Sequence, residues 1–316
     1  MNIVEVVIIG GGPAGLTAGL YCKRAALETV LIEKGLVGGQ IAISKDVENY
    51  PGMEEITGFD LAEKMQRQAR SFGLDIVQQE VAGIRPGGDR HTVTLADGTA
   101  YSARAVILAT GSTVRKLGVP GEAEYLGRGV SYCATCDGFF FRGKDVIVVG
   151  GGDTAVEEAL YLARLARTVR LVHRRSALRA SKLLQNRLFE DKRIRVLWDR
   201  VVADIAGNDG AVRQVTLEHR MTGERTILSA DGVFIFIGSE PNAALLPPGI
   251  RRDEWGYVIT DEKCETSLPG IFAAGDLRKK YANQIIVAAA DGCIAALGAA
   301  HYIETRQSSE RIPAET

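Results

Sequence analysis

The sequence predicts an α/β protein of two doubly wound, three-layer units, on three observations. An apolar run, Val6 to Ile9, leads into the turn Gly10-Gly11-Gly12-Pro13-Ala14-Gly15 and then a helical stretch. The same order returns as Val146 to Val149, Gly150-Gly151-Gly152-Asp153-Thr154-Ala155 and a helical stretch from Val156. In both copies a second apolar run ends 23 residues after the first glycine, at Glu33 in one and His173 in the other. Strand, glycine turn, helix and strand in that order make a Rossmann-like unit, the kind that holds a dinucleotide.

Length and composition agree. At 316 residues the chain is long for a single core, and 46% apolar with 24% charged residues is the balance of a soluble globular protein. The 38 basic and 39 acidic residues leave a formal charge of −1, which argues against a broad footprint for nucleic acid or an anionic membrane. No apolar run is expected to reach the ~20 residues that span a bilayer. Five cysteines are too few and too odd in number for a secreted disulfide framework, and the amino terminus has no basic leader. The expected compartment is the cytoplasm.

In the first unit Val6 to Ile9 is a strand buried on both faces, and Leu16 to Ala25 is the helix after the turn. Gly10 permits the tight bend, Gly12 lets backbone approach a pyrophosphate, and Gly15 lets helix and strand pack closely. Thr29 to Ile32 forms the next strand and sets Glu33 where a carboxylate accepts from a ribose diol. Leu36 to Tyr50, with Gly38-Gly39-Gln40 and Asn49, lacks a period and is expected to loop over the ligand. A helix over Leu61 to Phe72 follows, then a hairpin of Thr92 to Leu95 and Thr99 to Ser102 about Asp97-Gly98. The unit closes on Val106 to Leu108 with Ala109-Thr110-Gly111.

The second unit repeats the plan, with Ala155 in place of the third glycine. Its helix runs from Val156 to Ala166 and its second strand from Val169 to Val172. There the acid is replaced by His173, with Arg174, Arg175 and Arg179 close behind. Cationic donors suit a 2′-phosphate, which a carboxylate would repel, so this site should prefer NADP(H) to NAD(H). A solvated basic face is the competing reading. A helix over Ser181 to Asp191, a hairpin of Val212 to His219 and Arg225 to Leu228, and the strand Val233 to Ile237 complete the repeat. From Ala243 a tail carries Ile271 to Ala274, Gly275-Asp276 and a long apolar helix from about Ile285 to Ile303, with frayed residues beyond Glu304. It is too short for its own core and must complete one of the two units.

Between the glycine motifs lies Cys133-Ala134-Thr135-Cys136-Asp137. Zinc needs four ligands, and neither a second Cys-x-x-Cys nor a His-x-x-x-His accompanies the pair, so a redox dithiol is the favoured reading and no metal is expected. Asp137 beside the thiols suits a general acid and base, though an aspartate there can also cap a helix. Cys22, Cys264 and Cys293 stand alone and read as packing residues.

Taken in order, Gly10 to Gly15 with Glu33, Gly38-Gly39-Gln40, Asn49-Tyr50-Pro51-Gly52, Cys133 to Gly138, Gly150 to Ala155, His173-Arg174-Arg175 with Arg179, and Ala273-Ala274-Gly275-Asp276 resemble the low-molecular-weight thioredoxin reductases of bacteria. These belong to the pyridine nucleotide-disulfide oxidoreductases. The resemblance spans essentially the whole chain. It implies a discontinuous FAD domain, 1–114 with 243–316, and an inserted NADPH domain, 115–242, carrying the dithiol. FAD would be held by Gly10, Gly12, Pro13, Ala14, Gly15, Glu33, Lys34, Gly39, Gln40, Asn49, Ala109, Thr110, Gly111, Gly275, Asp276, Asn283, Gln284 and Ile285. NADPH would be held by Gly150, Gly152, Asp153, Thr154, Ala155, His173, Arg174, Arg175 and Arg179. It further implies a homodimer with thioredoxin as protein substrate, Cys136 facing the flavin, Cys133 attacking the partner and Asp137 moving the proton. Since nicotinamide and dithiol share one domain, that domain is expected to rotate on its linkers. Asn283 departs from the family, which has arginine there. Another small dithiol protein as partner, oxygen as acceptor, or a low-turnover redox sensor are the alternatives.

Overall fold

The computed structural model describes residues 1–44, 46–47, 49–54 and 56–311. They form two compact units, Met1–Thr113 with the chain from Glu240 onward, and Val114–Ser239. The tail therefore completes the first unit, a point that pattern alone left open.

The chain opens with β1 (Asn2–Ile9), α1 (Pro13–Arg24) and β2 (Thr29–Glu33), then α2 (Gly58–Ser71), β3 (Asp75–Gln78), β4 (Val81–Arg85), β5 (His91–Leu95) and β6 (Ala100–Leu108). Alternate residues of β1 explain its unbroken apolar run: Val6 and Ile8 enter the core on one face of the sheet, Val7 and Ile9 that on the other. Two expectations change here. The hairpin's second arm and the closing strand are one continuous strand, β6, because Ala103 to Ala105 contain no turn residue and stay in ladder register with β1. Leu36 to Tyr50 is not wholly irregular: Gly39–Ile43 is a short 3₁₀ helix, and Asp46–Val47 pairs with Ile56–Thr57.

In the second unit come β7 (Val130–Ser131), α3 (Ala134–Asp137), β8 (Asp145–Gly150), α4 (Asp153–Leu162), β9 (Thr168–Val172), α5 (Lys182–Glu190), β10 (Ile194–Leu197), β11 (Arg200–Asn208), β12 (Ala211–His219), β13 (Arg225–Ser229) and β14 (Gly232–Phe236). Its five-stranded sheet is parallel, ordered β7-β14-β8-β9-β10. The hairpin lies apart from it as an antiparallel sheet, β11-β12-β13.

After the second crossing, β15 (Ile271–Ala273) pairs parallel with the end of β6, and α6 (Ile285–Arg311) lies on α1. The first sheet is thus ordered β3-β2-β1-β6-β5-β4, with β15 beside β6. Helix α6 outruns the expected end near Ile303, since no glycine or proline lies between Ile303 and Pro313. Contrary to expectation, one stretch among the described residues, Ile285–Ser308, is long and apolar enough to cross a bilayer by length and composition. Its apolarity has another use here: Ala288, Ala295, Ala296, Ala299 and Ile303 pack with Ala14, Leu16, Ala18 and Cys22 of α1 in the core. Close approach is needed, because a Cβ on Gly292 would overlap the Ala14 carbonyl.

Candidate active site

The first unit gathers its site around the turn before α1. Gly10 has φ +108°, and a Cβ there would overlap the Ala109 carbonyl at the end of β6. Gly39, with φ +59°, brings the following loop against Gly12, and the amide of Gly38 donates to Gly11 O at 2.8 Å. The neighbouring Gln40 donates to Ser112 O at 2.5 Å. On the α6 side Gly275 lies against Ala14, and Asn49 Nδ2 donates to Gln284 Oε1 at 3.3 Å. Pro13, Ala14, Gly15, Thr110, Gly111 and Ile285 belong to these same segments. Lys34 pairs with Glu80 at 3.5 Å on the surface, and Asn283 is exposed.

Three features suit a dinucleotide. No side chain caps the amino end of α1, so its first amides are donors for a pyrophosphate. A Cβ on Gly12 would meet open space. Asp276 Oδ1 pairs with Lys280 Nζ at 2.9 Å, and a carboxylate oxygen keeps further acceptor capacity fit for a hydroxyl. Sequence reading missed the group that holds this corner. Asp291, 4% exposed, accepts from Gly275 N at 3.2 Å and Arg278 Nη1 at 2.7 Å, with Lys280 Nζ at 3.4 Å. A lone aspartate in an apolar helix was the available signal.

The second unit repeats the cradle and inverts its polarity. No side chain caps α4, and a Cβ on Gly152 would again meet open space. In the first unit Glu33 turns back on the glycine turn and accepts from Gly11 N at 2.6 Å and Gly35 N at 2.7 Å. His173 occupies the equivalent place but faces carbonyls: Nδ1 is 2.8 Å from Gly150 O and Nε2 is 3.0 Å from Ala177 O. Buried at 6% exposure, its ring lies so close to the turn that a Cβ on Gly151 would overlap it. Arg174, Arg175 and Arg179 are all exposed, and Arg179 N donates to Gly151 O at 2.7 Å. Asp153 accepts from Ser181 N at 2.7 Å, tying α4 to the start of α5, while Thr154 is exposed and Ala155 buried.

Cys133 and Cys136 form a disulfide with the Cα atoms 5.3 Å apart. The bond occupies both sulfurs and leaves no zinc pair in this state. Cys133 is the N-cap of α3, its sulfur accepting from Cys136 N at 3.2 Å, an arrangement that would stabilise a thiolate there. Asp137 Oδ2 accepts from Ser131 Oγ at 2.5 Å, and that hydroxyl accepts from Cys133 N at 3.0 Å. Ser131, unmarked in the sequence, so links the acid to the cysteine backbone. Cys136 is exposed and Cys133 half-buried. The other thiols contrast with these, for burial pushes Cys22 up to about 12 and Cys264 up to about 11, out of reach of thiolate chemistry.

Two glycine cradles of opposite electrostatic character and a disulfide beside an acid are the parts that nucleotide-driven disulfide reduction requires. Comparison with known proteins agrees. Residues 4–292 match the model of the pyridine nucleotide-disulphide oxidoreductase family. A thioredoxin reductase of Bacillus subtilis (strain 168) is 48% identical over 98% of this chain and 97% of its own length. Thioredoxin reductase of Listeria innocua is likewise 48% identical, over 96% and 95%. Among solved structures, thioredoxin reductase from Streptococcus pyogenes MGAS5005 is 46% identical, covers 96% of this chain and 99% of its own, and superposes with a TM-score of 0.92. The chain therefore belongs to the pyridine nucleotide-disulphide oxidoreductase family, a family of pyridine nucleotide-dependent flavoenzymes, and groups within it with the thioredoxin reductases.

Proposed function

We propose that this chain reduces the disulfide of thioredoxin with NADPH, through FAD and the Cys133–Cys136 pair. The observation that carries the reading is that disulfide, joined through Ser131 to Asp137, in the same unit as the arginine-flanked glycine turn. The unit of 1–114 and 243–316 would hold FAD and that of 115–242 NADPH. A flavin bound in the first unit would pass two electrons from a reduced nicotinamide to the disulfide. The chain's own residues then control the exchange. Cys133 attacks the partner's disulfide as thiolate, a proton goes to the partner's leaving sulfur, and the second thiol, Cys136, resolves the mixed disulfide. Asp137 is the group that takes and returns the proton. Exposed Phe139 and Phe140, immediately after the dithiol, supply an apolar face for a protein substrate.

Supporting a homodimer, Ile286, Ile294 and Leu297 leave an exposed apolar stripe along α6. The sparse, mostly buried free cysteines suit the cytoplasm. Rotation of the second unit about its two connections is part of the same reading, because nicotinamide and disulfide share one unit and must reach one flavin in turn.

Rapid oxidation of NADPH that depends on added thioredoxin, and is abolished in Cys133→Ser and in Cys136→Ser, is the expected result. Unchanged NADPH oxidation by oxygen in both variants, with no dependence on any thioredoxin of the source, would exclude the reading.

A further inference from the structure

We infer that His173 is a positioning residue that takes up a proton when a 2′-phosphate binds, and that as imidazolium it fixes the arginine loop to the second glycine turn. The inference rests on the NADPH reading of this unit. Its basis is a pair of distances: both ring nitrogens of His173 face carbonyl oxygens, Gly150 O at 2.8 Å and Ala177 O at 3.0 Å. A neutral imidazole has one N–H, so it satisfies one carbonyl and presents a lone pair to the other. Only the doubly protonated ring donates to both. Glu33 supports this by inversion, since at the same place in the first unit an anion accepts from two amides. Each unit thus holds its glycine turn with a residue whose charged form alone matches the backbone around it.

What His173 joins matters for the ligand. Gly150 O belongs to the glycine turn and Ala177 O to the exposed segment that displays Arg174, Arg175 and Arg179. With the Arg179 N bond to Gly151 O, the ring fixes three cations relative to the place where the turn's amides point. A second aromatic edge, Trp198, meets the ring at a centroid distance of 6.3 Å and limits its movement.

Without ligand, burial lowers the His173 pKa from its ordinary value; the two carbonyls raise it, and the charges of Arg174 and Arg175 lower it. The other charged residues bonded to this segment are Arg200, whose backbone amide donates to His173 O, Asp199, whose amide donates to Arg175 O, and Arg220, whose guanidinium donates to Arg174 O. No carboxylate among these is bonded to the ring. A phosphate dianion placed on Arg174 and Arg175 offsets the two charges that oppose protonation, while burial deepens the need for both carbonyl bonds. Binding and proton uptake are therefore linked, and the linkage is absent for a nucleotide without the 2′-phosphate.

Calorimetric titration of the oxidised, flavin-loaded protein with 2′,5′-ADP and with 5′-ADP, in buffers of different ionisation enthalpy, tests this. At about pH 8 a phosphate monoester is already fully dianionic, so protons taken up come from the protein's side of the equilibrium. Expected is uptake of a substantial fraction of one proton with 2′,5′-ADP and none with 5′-ADP. His173→Gln, which can serve only one of the carbonyls as donor without charge, should abolish the uptake and weaken 2′,5′-ADP about tenfold more than it weakens 5′-ADP. Tighter binding of 2′,5′-ADP with no proton uptake in the unsubstituted protein would overturn the inference and leave the phosphate site standing. Equal affinity for the two ligands would overturn both. The wild-type measurement decides the matter even where the variant folds poorly.

Discussion

Arg174 and Arg175, like Arg179, are exposed and carried on a segment fixed to the glycine turn. Guanidinium groups bind a phosphate bidentately, whereas NADH offers only a ribose hydroxyl at that position. Replacing both with neutral residues should raise KM for NADPH about ten- to a hundredfold and change KM for NADH little; equal changes would show that the segment is merely a solvated basic face. A second residue-scale expectation concerns Glu158 on α4. Burial, then the charge of Glu157, pushes its carboxyl up to about 6, and Oε2 is buried without a hydrogen-bond partner. Because its folded value lies above the ordinary one near 4.3, the folded protein binds more protons than the unfolded between those values, and stability falls as pH rises through that window. Above it the penalty is complete. Glu158→Gln should therefore stabilise the protein by about 1 kcal/mol at neutral pH, after discounting for partial exposure, and by nothing near pH 4. Denaturant melts at the two values check it, and an equal gain at both would mean that packing, not ionisation, is responsible.

At the scale of elements, the contact of α1 with α6 sets how closely backbone packs behind the first glycine turn. Alanine normally improves a helix interior over glycine by about 1 kcal/mol. At Gly292 the sign reverses, because the new methyl would overlap the backbone carbonyl of Ala14, which cannot rotate away as a side chain could. Gly292→Ala should cost about 1–3 kcal/mol and release flavin on dilution; a stabilised protein with full flavin content would refute it. Nothing in the sequence marks Gly292 apart from other helical glycines, and the reason is general. Glycine turns, apolar strands and the Cys-x-x-Cys spacing were legible because their cause is local: period, turn geometry and neighbouring side chains. The continuity of β6 was not, since Asp97-Gly98 correctly marked a turn but nothing marked where the following strand would stop. Ser131 carried no signal, and Asp291 stood out only as a lone aspartate in an apolar helix, because the roles of both depend on fold. Asp291 meets Gly275 across 16 residues, and Asn242 binds Thr110 across 132. His173 was legible as a position but not as an orientation: the 23-residue spacing placed it, and only the structure turned its ring inward onto two carbonyls.

For the molecule as a whole, the constraint under the proposed function is that one unit carries both the arginine-flanked cradle and the disulfide, so each in turn would have to reach a flavin held by the other unit. The connections are short and anchored at each end within their own unit. On the first unit's side Asn242 accepts from Thr113 Oγ1 at 2.9 Å and donates to Thr110 O at 2.8 Å. On the second unit's side Arg115 N donates to Gly238 O at 2.9 Å, and Gly238 has φ +107°, a conformation open chiefly to glycine. Short crossings, here Ser112–Val114 paired with Ser239–Pro241, are what a hinge needs, since the φ and ψ change is confined to few positions. If the second unit turns on this hinge during each cycle, paired engineered cysteines that lock the two units should separate the half-reactions. The locked protein should retain either anaerobic bleaching of the flavin by NADPH or electron exchange between flavin and dithiol. Thioredoxin-dependent turnover should fall at least about a hundredfold and return when the cross-link is reduced. Gly238→Val, which resists the left-handed conformation without blocking either site, should lower kcat while leaving the affinity for 2′,5′-ADP unchanged. Undiminished turnover in the locked protein would mean that nicotinamide and disulfide reach the flavin without rotation.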